Sequence, residues 1–484
     1  MSLLAHGLGL GANSAAAYEM VRGIDHSFVQ SSLAVFRQLA KHFPFIDVPA
    51  ATDAVNMIAN RPILTAAICT VTAGANPDAQ DRLSRAFRHA LSTKAIIEGE
   101  RSVDLCTGLL VYLAWHHQYM SKQQIYQELH LLAGMAADLG LYSQPPTPDA
   151  VNLIGDLEQQ RVFLGCYYIC CGLSVTGFHK PSPIKWTDSL RHYAENLYRA
   201  GNLPSDQLLL ATMELLHAIE DLEDALRIND TVKRETFAHY VELHTKATNQ
   251  RLRQLKRDHP QVSSMPGFAA ATIHFHHRLL RASDVPDQAT LMQCAVAIKD
   301  YMDDVLARPP ITLHQVAIVE WTNLLEILVL MARVSRPLPH TAGWEAGALA
   351  SMLQPDTIID ALCAHMNSAP AGDPLAPRHE VLLQWFRRVC DSIKKRILHE
   401  RSTDIGQLRK DESHYETLHE LGRNSVQSHR QTPMGSDGRY NLVNDEYNHT
   451  AETRAVSNLG IFNSFDYFGN GVLDEGFWSG FLNA

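Results

Sequence analysis

Closely spaced histidines are the first residues in this sequence that could do chemistry. His274, His276 and His277 occur together, and His274 and His277 would share one face of a helix at three-residue spacing. Imidazoles placed in this way bind zinc when further Cys, His or carboxylate ligands complete the set. No Cys, Asp or Glu completes such a set nearby in the sequence, so partly buried or solvated structural histidines are favoured over a metal site.

An acidic segment earlier in the chain could hold a cation. His217, Asp221 and Asp224 would lie together on a predicted helix. Three further carboxylates lie close to them in the sequence, namely Glu214, Glu220 and Glu223. A solvated acidic helix face is favoured over a cation site, because runs of like charge usually face water.

Two segments approximate known functional motifs but fail on detail. Residues 172–177 (GLSVTG) have one residue too many for a nucleophile elbow and come at the end of a predicted helix. Residues 466–477 imitate a calcium-binding loop, but Phe468 and Phe477 stand where oxygen ligands are needed. The sequence therefore predicts no catalytic, cofactor-binding or metal-ligating residue and no cofactor.

The cysteines are scattered along the chain, which predicts a reduced, intracellular protein. The eight positions are Cys69, Cys106, Cys166, Cys170, Cys171, Cys294, Cys363 and Cys390. Cys166, Cys170 and Cys171 fall within two turns of one apolar segment. We interpret them as small core side chains rather than as a thiolate pair.

Composition narrows the class of protein. The chain has 484 residues, of which 46% are hydrophobic and 19% are charged, and it can bury substantial cores. Disordered and fibrous proteins are therefore excluded. The net charge of −10 opposes approach to nucleic acid, so any DNA contact needs a local basic patch.

One basic cluster could supply such a patch. It comprises Arg387, Arg388, Lys394, Lys395 and Arg396, on a predicted helix. Clusters of this kind serve nuclear import or phosphate contact. The alternative is an ordinary solvated face of an amphipathic helix.

Helical periodicity dominates the chain, and it predicts an all-α protein, a multi-helical core of packed antiparallel helices with a disordered C-terminal tail. Predicted helices include residues 61–72, 78–97, 101–119, 122–139 and 157–175. The predicted organisation has a flexible N-terminal segment at 1–27, a first helical region at 28–200, a second helical block at 201–401, and a polar linker with an acidic and aromatic tail at 402–484.

A leucine-rich stripe in the second block has two interpretations. Leu208, Leu215, Ile219, Leu222 and Leu226 approximate a heptad seam. Three heptads without clean flanking charges favour a helix that faces the core of its own chain. A homodimer through a coiled coil is the alternative.

The C-terminal tail is rich in aromatic residues mixed with acidic ones. Its aromatic residues include Phe462, Phe465, Phe468, Phe477, Trp478 and Phe481. Such composition is typical of activation segments that fold onto coactivators. The alternative is a terminus that docks on the folded body.

Several segments occur in a fixed order along the chain. They are HFPFID at 42–47 with RPIL at 61–64, AADLGL at 136–141, EQQRVFLGCYY at 158–168, and FHKP at 178–181 with IKWT at 184–187. Together they resemble the regulatory domain of fungal transcription factors that carry a binuclear zinc cluster. The resemblance covers residues 28–198. It implies that residues 28–200 form the regulatory core of such a factor and that the second block, 201–401, belongs to the same regulatory domain.

The same resemblance implies a nuclear regulator of fungal gene expression, with pathway-specific control of a secondary-metabolite gene cluster. Its partners would be the transcription machinery or a DNA-binding protein, with a small-molecule effector. An all-helical enzyme or small-molecule-binding protein of a biosynthetic pathway is the alternative.

This sequence departs from that family in its cysteines. The zinc cluster of the family needs six cysteines within about 30 residues. Here the first two cysteines are Cys69 and Cys106, so the sequence contains no such module. The sequence therefore does not support a prediction of direct sequence-specific DNA binding, and two mechanisms remain: regulation through a DNA-binding partner, or through a module that this sequence does not include.

Overall fold

In the computed structural model of this protein, every regular secondary-structure element among the described residues is a helix. The structure describes residues 3–10, 19–142, 153–178, 180–227, 234–282, 288–335, 346–368, 383–384, 386–391 and 393–394. Up to Arg387 these residues belong to one compact unit, and the six from Arg388 onwards belong to a second unit, Arg388–Leu459. No strand occurs among them, which confirms the all-α prediction for this part of the chain.

The helices are numbered here in chain order. They are α1 (Leu3–Gly7), α2 (His26–Leu39), α3 (Ala54–Asn60), α4 (Pro62–Thr72), α5 (Pro77–Leu91), α6 (Val103–His116), α7 (Lys122–Asp138), α8 (Leu153–Gly172), α9 (Asp188–Ala200), α10 (Asp206–Arg227), α11 (Arg234–Asp258), α12 (Pro266–Ala282), α13 (Gln288–Ala307), α14 (Pro310–Gln315), α15 (Ile318–Val334), α16 (Ala346–Leu353) and α17 (Pro355–Asn367). Short π-helical turns, Ser92–Ile97 and Leu173–Phe178, follow α5 and α8.

Helix α4 is the centre of the first half of the fold. Every residue from Ile63 to Thr72 is buried, as its almost wholly apolar sequence predicts. Pro62 opens the helix, where its missing N–H costs nothing. The Asp104 carboxylate of α6 accepts hydrogen bonds from the backbone N–H groups of Ile63 and Leu64, at 2.8 and 3.0 Å, and so caps α4 from a neighbouring helix.

Helix α8 crosses this half of the fold at close range. An added Cβ at Gly165 would lie 2.6 Å from Cβ of Phe45 and 2.8 Å from Cδ2 of Leu110. The absence of a side chain therefore lets α8 approach both the segment around Phe45 and helix α6. At its end, Gly172 packs in the same way against Val319 at the start of α15.

The leucine-rich stripe of α10 faces the core of its own chain. Leu215 and Leu222 are buried in one apolar cluster with Leu252 of α11, Phe275 of α12, and Val262 from the turn between these two helices. The core-facing interpretation is thus confirmed for these residues, and a dimer through this seam loses its basis.

The predicted helix bounds agree closely with the observed ones in the first half. The segment 78–97, predicted as one α-helix, is not α-helical throughout. Helix α5 ends at Leu91, and a π-helical turn completes the segment. None of the eight cysteines forms a disulfide, and all except Cys363 are buried, which confirms the core interpretation of Cys166, Cys170 and Cys171. None of the described helices has the length and apolar character to cross a membrane.

Candidate functional site

A cavity of about 590 Å³ lies among α8, α10, α12, α13, α14 and α15. This volume is typical of pockets that take drug-sized molecules. Its walls are mostly apolar and include Leu216 and Ile219 of α10, Ala271 of α12 and Trp321 of α15. Lys41 and three residues of the HFPFID motif, His42, Pro44 and Phe45, supply another part of the lining.

A half-buried acid and a half-buried tyrosine form the main polar feature of this wall. The hydroxyl of Tyr168 in α8 donates a hydrogen bond to Oε1 of Glu320 in α15, at 2.5 Å. Phe45 packs on the Tyr168 ring, with centroids 4.9 Å apart, and holds the ring in place. The other carboxyl oxygen of Glu320, Oε2, has no hydrogen-bond partner from the protein and is shielded from water. Such an unsatisfied polar atom costs about 1–3 kcal/mol.

Burial raises the pKa of Glu320 to about 7. The Tyr168 hydroxyl, the backbone N–H groups at the start of α15 and the charge of Arg308 act in the opposite direction, but they do not offset the loss of hydration. The carboxyl can therefore change its charge near neutral pH. Burial and the neighbouring Glu320 carboxylate also raise the pKa of Tyr168, so its hydroxyl stays protonated.

Charged and titratable side chains line one part of the cavity wall. Arg308 pairs with Asp304 one turn earlier at the end of α13. Nε2 of His42 lies 3.0 Å from Oε1 of Gln315, and burial lowers the pKa of this histidine. Lys41 is exposed. The cavity wall thus has two parts: a mostly apolar part that includes Glu320, and a polar part formed by these charged and titratable side chains.

A second polar cluster is buried beside the cavity, and it involves the histidines singled out in the sequence. Nε2 of His274 lies 2.9 Å from Oε1 of Glu223, and Nδ1 lies 3.4 Å from Oε1 of Glu326. Nδ1 of His277 is 3.5 Å from the same oxygen of Glu326, and Nε of Arg278 is 2.6 Å from Oε1 of Glu223. Helices α10, α12 and α15 contribute these groups.

This cluster corrects the sequence analysis in two ways. His274 and His277 are buried, and carboxylates do complete their surroundings, because α10 and α15 bring Glu223 and Glu326 from distant parts of the sequence. A structural role for these histidines stays an interpretation. Among the described residues no group of three or more His, Cys, Asp or Glu side chains has the geometry to hold a metal ion.

The charges of the cluster are set by mutual contact. Burial by itself lowers the pKa of His274, but hydrogen bonds and charges from Glu223 and Glu326 outweigh burial and raise the pKa to about 9. Burial raises the pKa of Glu326, yet His274 and His277 hold it well below its usual range. His274 is therefore an imidazolium beside a carboxylate at neutral pH.

The acidic face of α10 is solvated only in part: Asp221 is exposed and Asp224 is partly exposed to water, but two of the neighbouring glutamates are not. Glu220 and Glu223 are buried, each only 3% exposed. Glu220 accepts a 2.8 Å hydrogen bond from the Tyr167 hydroxyl. Lys185 pairs with Glu220 and with Asp224.

The remaining acids of this face are paired as well. Arg251 pairs with Asp221, and Arg191 pairs with Glu214. Basic groups from neighbouring segments therefore neutralise this face in place of a bound cation.

Charged residues of the segments that carry the resemblance form ion pairs in the fold. Arg61 contacts both Asp104 and Glu158, which joins the start of α4 to α6 and α8. Arg161 forms a two-pronged pair with Asp206, at 2.8 and 2.9 Å, in a fully buried position. These contacts give the segments a structural role in the packing of the helices.

The predicted basic cluster lies at the end of the described chain. Arg387 is exposed and donates a hydrogen bond to the Asn367 side chain at 2.5 Å. Arg388 is exposed and Lys394 is half-buried, within the second unit. Lys395 and Arg396 fall outside the described residues, as does the aromatic tail with Phe462, Phe465, Phe468, Phe477, Trp478 and Phe481. Import and activation through these residues stay predictions.

No motif or spacing in the sequence singles out Glu320. Tyr168 was visible only as part of the EQQRVFLGCYY segment, and nothing in the sequence connects it with an acid 152 residues away. One sequence feature could have indicated this acid. Glu320 lies in the first turn of α15, an otherwise apolar helix, and a charged residue in such a buried setting is unusual.

Comparison with curated proteins finds similarity to fungal transcription factors. Transcription factor opdL of Penicillium oxalicum is 22% identical over 387 residues, which are 72% of this chain and 66% of the relative. Transcription factor himD of Aspergillus japonicus is 27% identical over 190 residues, 37% of this chain and 32% of the relative.

Transcription factor pbcR of Emericella nidulans is 25% identical over 203 residues. The matched regions of himD and opdL thus span between a third and two thirds of those relatives' lengths. No family model and no solved structure matches the chain.

Proposed function

We propose that this chain is a transcriptional regulator of fungal gene expression. The observation that carries the proposal is its similarity to opdL over 72% of its length, together with similarity to further curated fungal transcription factors. A match of that extent includes most of the helical body. The proposal places the protein in the nucleus, with the transcription machinery or a DNA-binding protein as its partner.

The finer form of the proposal concerns pathway and mechanism. We infer pathway-specific control of a secondary-metabolite gene cluster, with the helical body as the regulatory domain of a zinc-cluster factor. These 484 residues contain no zinc cluster of their own, because the first cysteines, Cys69 and Cys106, are 37 positions apart and both buried in the core. DNA contact would then come from a partner protein or from a module outside these residues.

Deletion of the gene followed by transcriptomics and chromatin occupancy tests this function. The expected result is a coordinated change in the transcripts of neighbouring biosynthetic genes, with the tagged protein at their promoters. Re-expression of the intact chain is the control and should restore the transcripts. Unchanged transcripts with occupancy at background level would contradict the proposal.

A second candidate function is a small-molecule-binding protein or enzyme of a biosynthetic pathway, and the 590 Å³ cavity favours it. The same deletion separates the two. Accumulation of one pathway intermediate with unchanged transcripts supports the second candidate, because loss of a pathway enzyme blocks a metabolic step without altering gene expression.

The basic cluster is the proposed import signal. Alanine at Arg387, Arg388, Lys394, Lys395 and Arg396 should move a fluorescent fusion out of the nucleus, since import receptors bind clustered cations. Alanine at the half-buried Lys299 and the exposed Arg85, which each pair with an aspartate of their own helix, is the control. Unchanged nuclear retention would remove the import role.

The aromatic tail is the proposed activation segment. Residues 441–484, fused to a foreign DNA-binding domain, should activate a reporter, because acidic and aromatic segments fold onto coactivators. The matched control replaces the phenylalanines and Trp478 by alanine and should be silent. Equal reporter levels from both fusions would exclude activation through these side chains.

A further inference from the structure

The cavity has a polar anchor with an unmet hydrogen bond. Oε1 of Glu320 accepts the 2.5 Å hydrogen bond from Tyr168, whereas Oε2 has no protein partner. The end torsion of a glutamate is soft, so a small rotation turns this oxygen toward the cavity that the residue lines. A molecule in the cavity could satisfy the atom and recover the free energy that its burial costs.

The surrounding walls define what such a molecule must be. Apolar side chains of α10, α12 and α15 provide most of the surface, so most of the ligand must be apolar as well. His274 also lines the cavity, but both of its ring nitrogens already face carboxylates, Glu223 at 2.9 Å and Glu326 at 3.4 Å. Glu320, whose Oε2 is unsatisfied, is therefore the lining group that we take as the polar anchor.

A hydroxyl is the polar group that suits this acid. When Glu320 is ionised, a hydroxyl donates to Oε2, and when Glu320 is protonated, a hydroxyl accepts from it. An ether can only accept, so it pairs with the protonated acid alone. A carboxylate would repel the ionised acid and would lose its hydration in an apolar cavity.

We propose that this cavity binds a largely apolar small molecule of drug-like size that carries a hydroxyl group, with the hydroxyl on Glu320 and Tyr168 as the positioning residue of that acid. The role of this molecule as an effector rests on the proposed regulatory function, whereas its binding does not. The groups around Glu320 are Tyr168 of α8, Tyr301, Asp304 and Arg308 at the end of α13, and His42 and Lys41 before α3.

Fluorescence titration of the purified 484-residue chain with three pyrene probes of matched shape tests the proposal. The probes are 1-pyrenemethanol, 1-(methoxymethyl)pyrene and 1-pyrenecarboxylate. At pH 8 we expect the alcohol to bind about tenfold more tightly than the ether, the change that a hydrogen bond to a charged group makes. At pH 6 the difference should shrink, because protonated Glu320 donates to the ether oxygen. Equal affinities at pH 8, or tightest binding by the carboxylate, would overturn the proposal.

Substitutions locate the binding. Glu320→Gln keeps the size and the hydrogen bond to Tyr168 but no longer titrates, so the alcohol-to-ether ratio should become independent of pH. Ala271→Trp should fill the cavity and weaken all three probes at least tenfold. Ala289→Trp on the exposed face of α13 makes the same change outside the cavity and should leave binding unaltered.

Glu320→Gln remains informative if Ala271→Trp fails to fold, and circular dichroism checks both. A ratio in Glu320→Gln that still varies with pH would contradict the assignment. The titration requires no transcription, so its failure would leave the regulator proposal standing. Failure of the transcript test would likewise leave the binding result intact.

Discussion

Glu320 titrates in a range that stability measurements can detect. Its pKa is raised from an ordinary value of 4.5 to about 7, so the unfolded chain ionises this acid first as the pH rises. Its contribution to the free energy of unfolding is therefore fully present below pH 4.5 and is lost as the pH rises through 7. The folded protein carries this cost because burial removes hydration from the ionised carboxylate.

We predict that Glu320→Gln stabilises the protein at pH 8 but not at pH 4.5. The amide keeps the hydrogen bond from Tyr168 and has no charge to bury, so the gain at pH 8 is on the order of 2 kcal/mol. Urea unfolding at the two pH values measures it. Glu100→Gln, at a pair with Lys94 outside the cavity, is the control, and an equal gain in that variant would contradict the explanation.

The His274 cluster makes a different prediction, because its charges are mutually paired. His274→Leu leaves Glu326 without its nearer partner in a buried site and should cost about 3–5 kcal/mol. The double variant His274→Leu with Glu326→Leu replaces the pair by apolar groups and should recover much of that loss. Urea unfolding of the two single variants and the double variant measures the coupling, and additive losses would contradict it.

The sign of the pH dependence follows from the pKa of His274. Since this pKa is raised from 6.5 to about 9, the stabilisation is fully present below pH 6.5 and is lost as the pH rises through 9. His274→Gln should flatten the fall in unfolding free energy across that window. A wild-type curve without such a fall would mean that the imidazolium is not formed.

At the scale of helices, substitution of two glycines distinguishes the effect of helix propensity on stability from the effect of close packing between helices. Gly165 lies in α8, where an added Cβ would be 2.6 Å from Cβ of Phe45. Gly134 lies on the exposed face of α7, with nothing within 4 Å. Both positions are helix interiors, so alanine gains the same backbone entropy at each of them.

We predict opposite signs for the two alanine variants. Gly134→Ala should stabilise by about 0.5–1 kcal/mol through propensity alone. Gly165→Ala should destabilise by about 1–3 kcal/mol, because α8 must move away from Phe45 and Leu110. Thermal and urea unfolding of the pair measures both effects. Stabilisation by Gly165→Ala would mean that the approach of α8 is looser than the structure has it.

Helix ends also depend on contacts between elements. Asp104, in the first turn of α6, caps α4 through the N–H groups of Ile63 and Leu64 and pairs with Arg61. Burial raises the pKa of Asp104, although Arg61 and these N–H groups act against the shift. The start of the central helix is therefore stabilised by a residue about 40 positions further along the chain.

At the scale of the whole molecule, the net charge determines whether the protein is attracted to nucleic acid. The net charge of −10 gives no general attraction to DNA, and many basic side chains of the described surface pair with acids, as Arg251 and Lys185 do. Regulation by this chain would therefore need a partner or a further module for DNA contact.

We predict that the purified 484-residue chain gives no sequence-specific shift of promoter fragments taken from its target genes. Fluorescence anisotropy at about 150 mM salt measures this, since specific complexes persist there whereas weak phosphate contacts are screened. Addition of nuclear extract, as a source of partner proteins, should produce a shift that contains the tagged chain. A shift by the chain alone that survives excess competitor DNA would contradict the prediction.

The sequence alone determined the helical class and most helix positions in the first half, because apolar periodicity and Pro or Gly boundaries are local signals, as in α4 and α7. It also predicted that Cys166 and the α10 leucines face the core. Only the tertiary structure brought Glu320 to Tyr168, and Glu223 and Glu326 to His274. Sequence spacing does not encode which distant helices meet, since the packing of whole faces decides that. The cavity and its acid therefore emerged only from the fold.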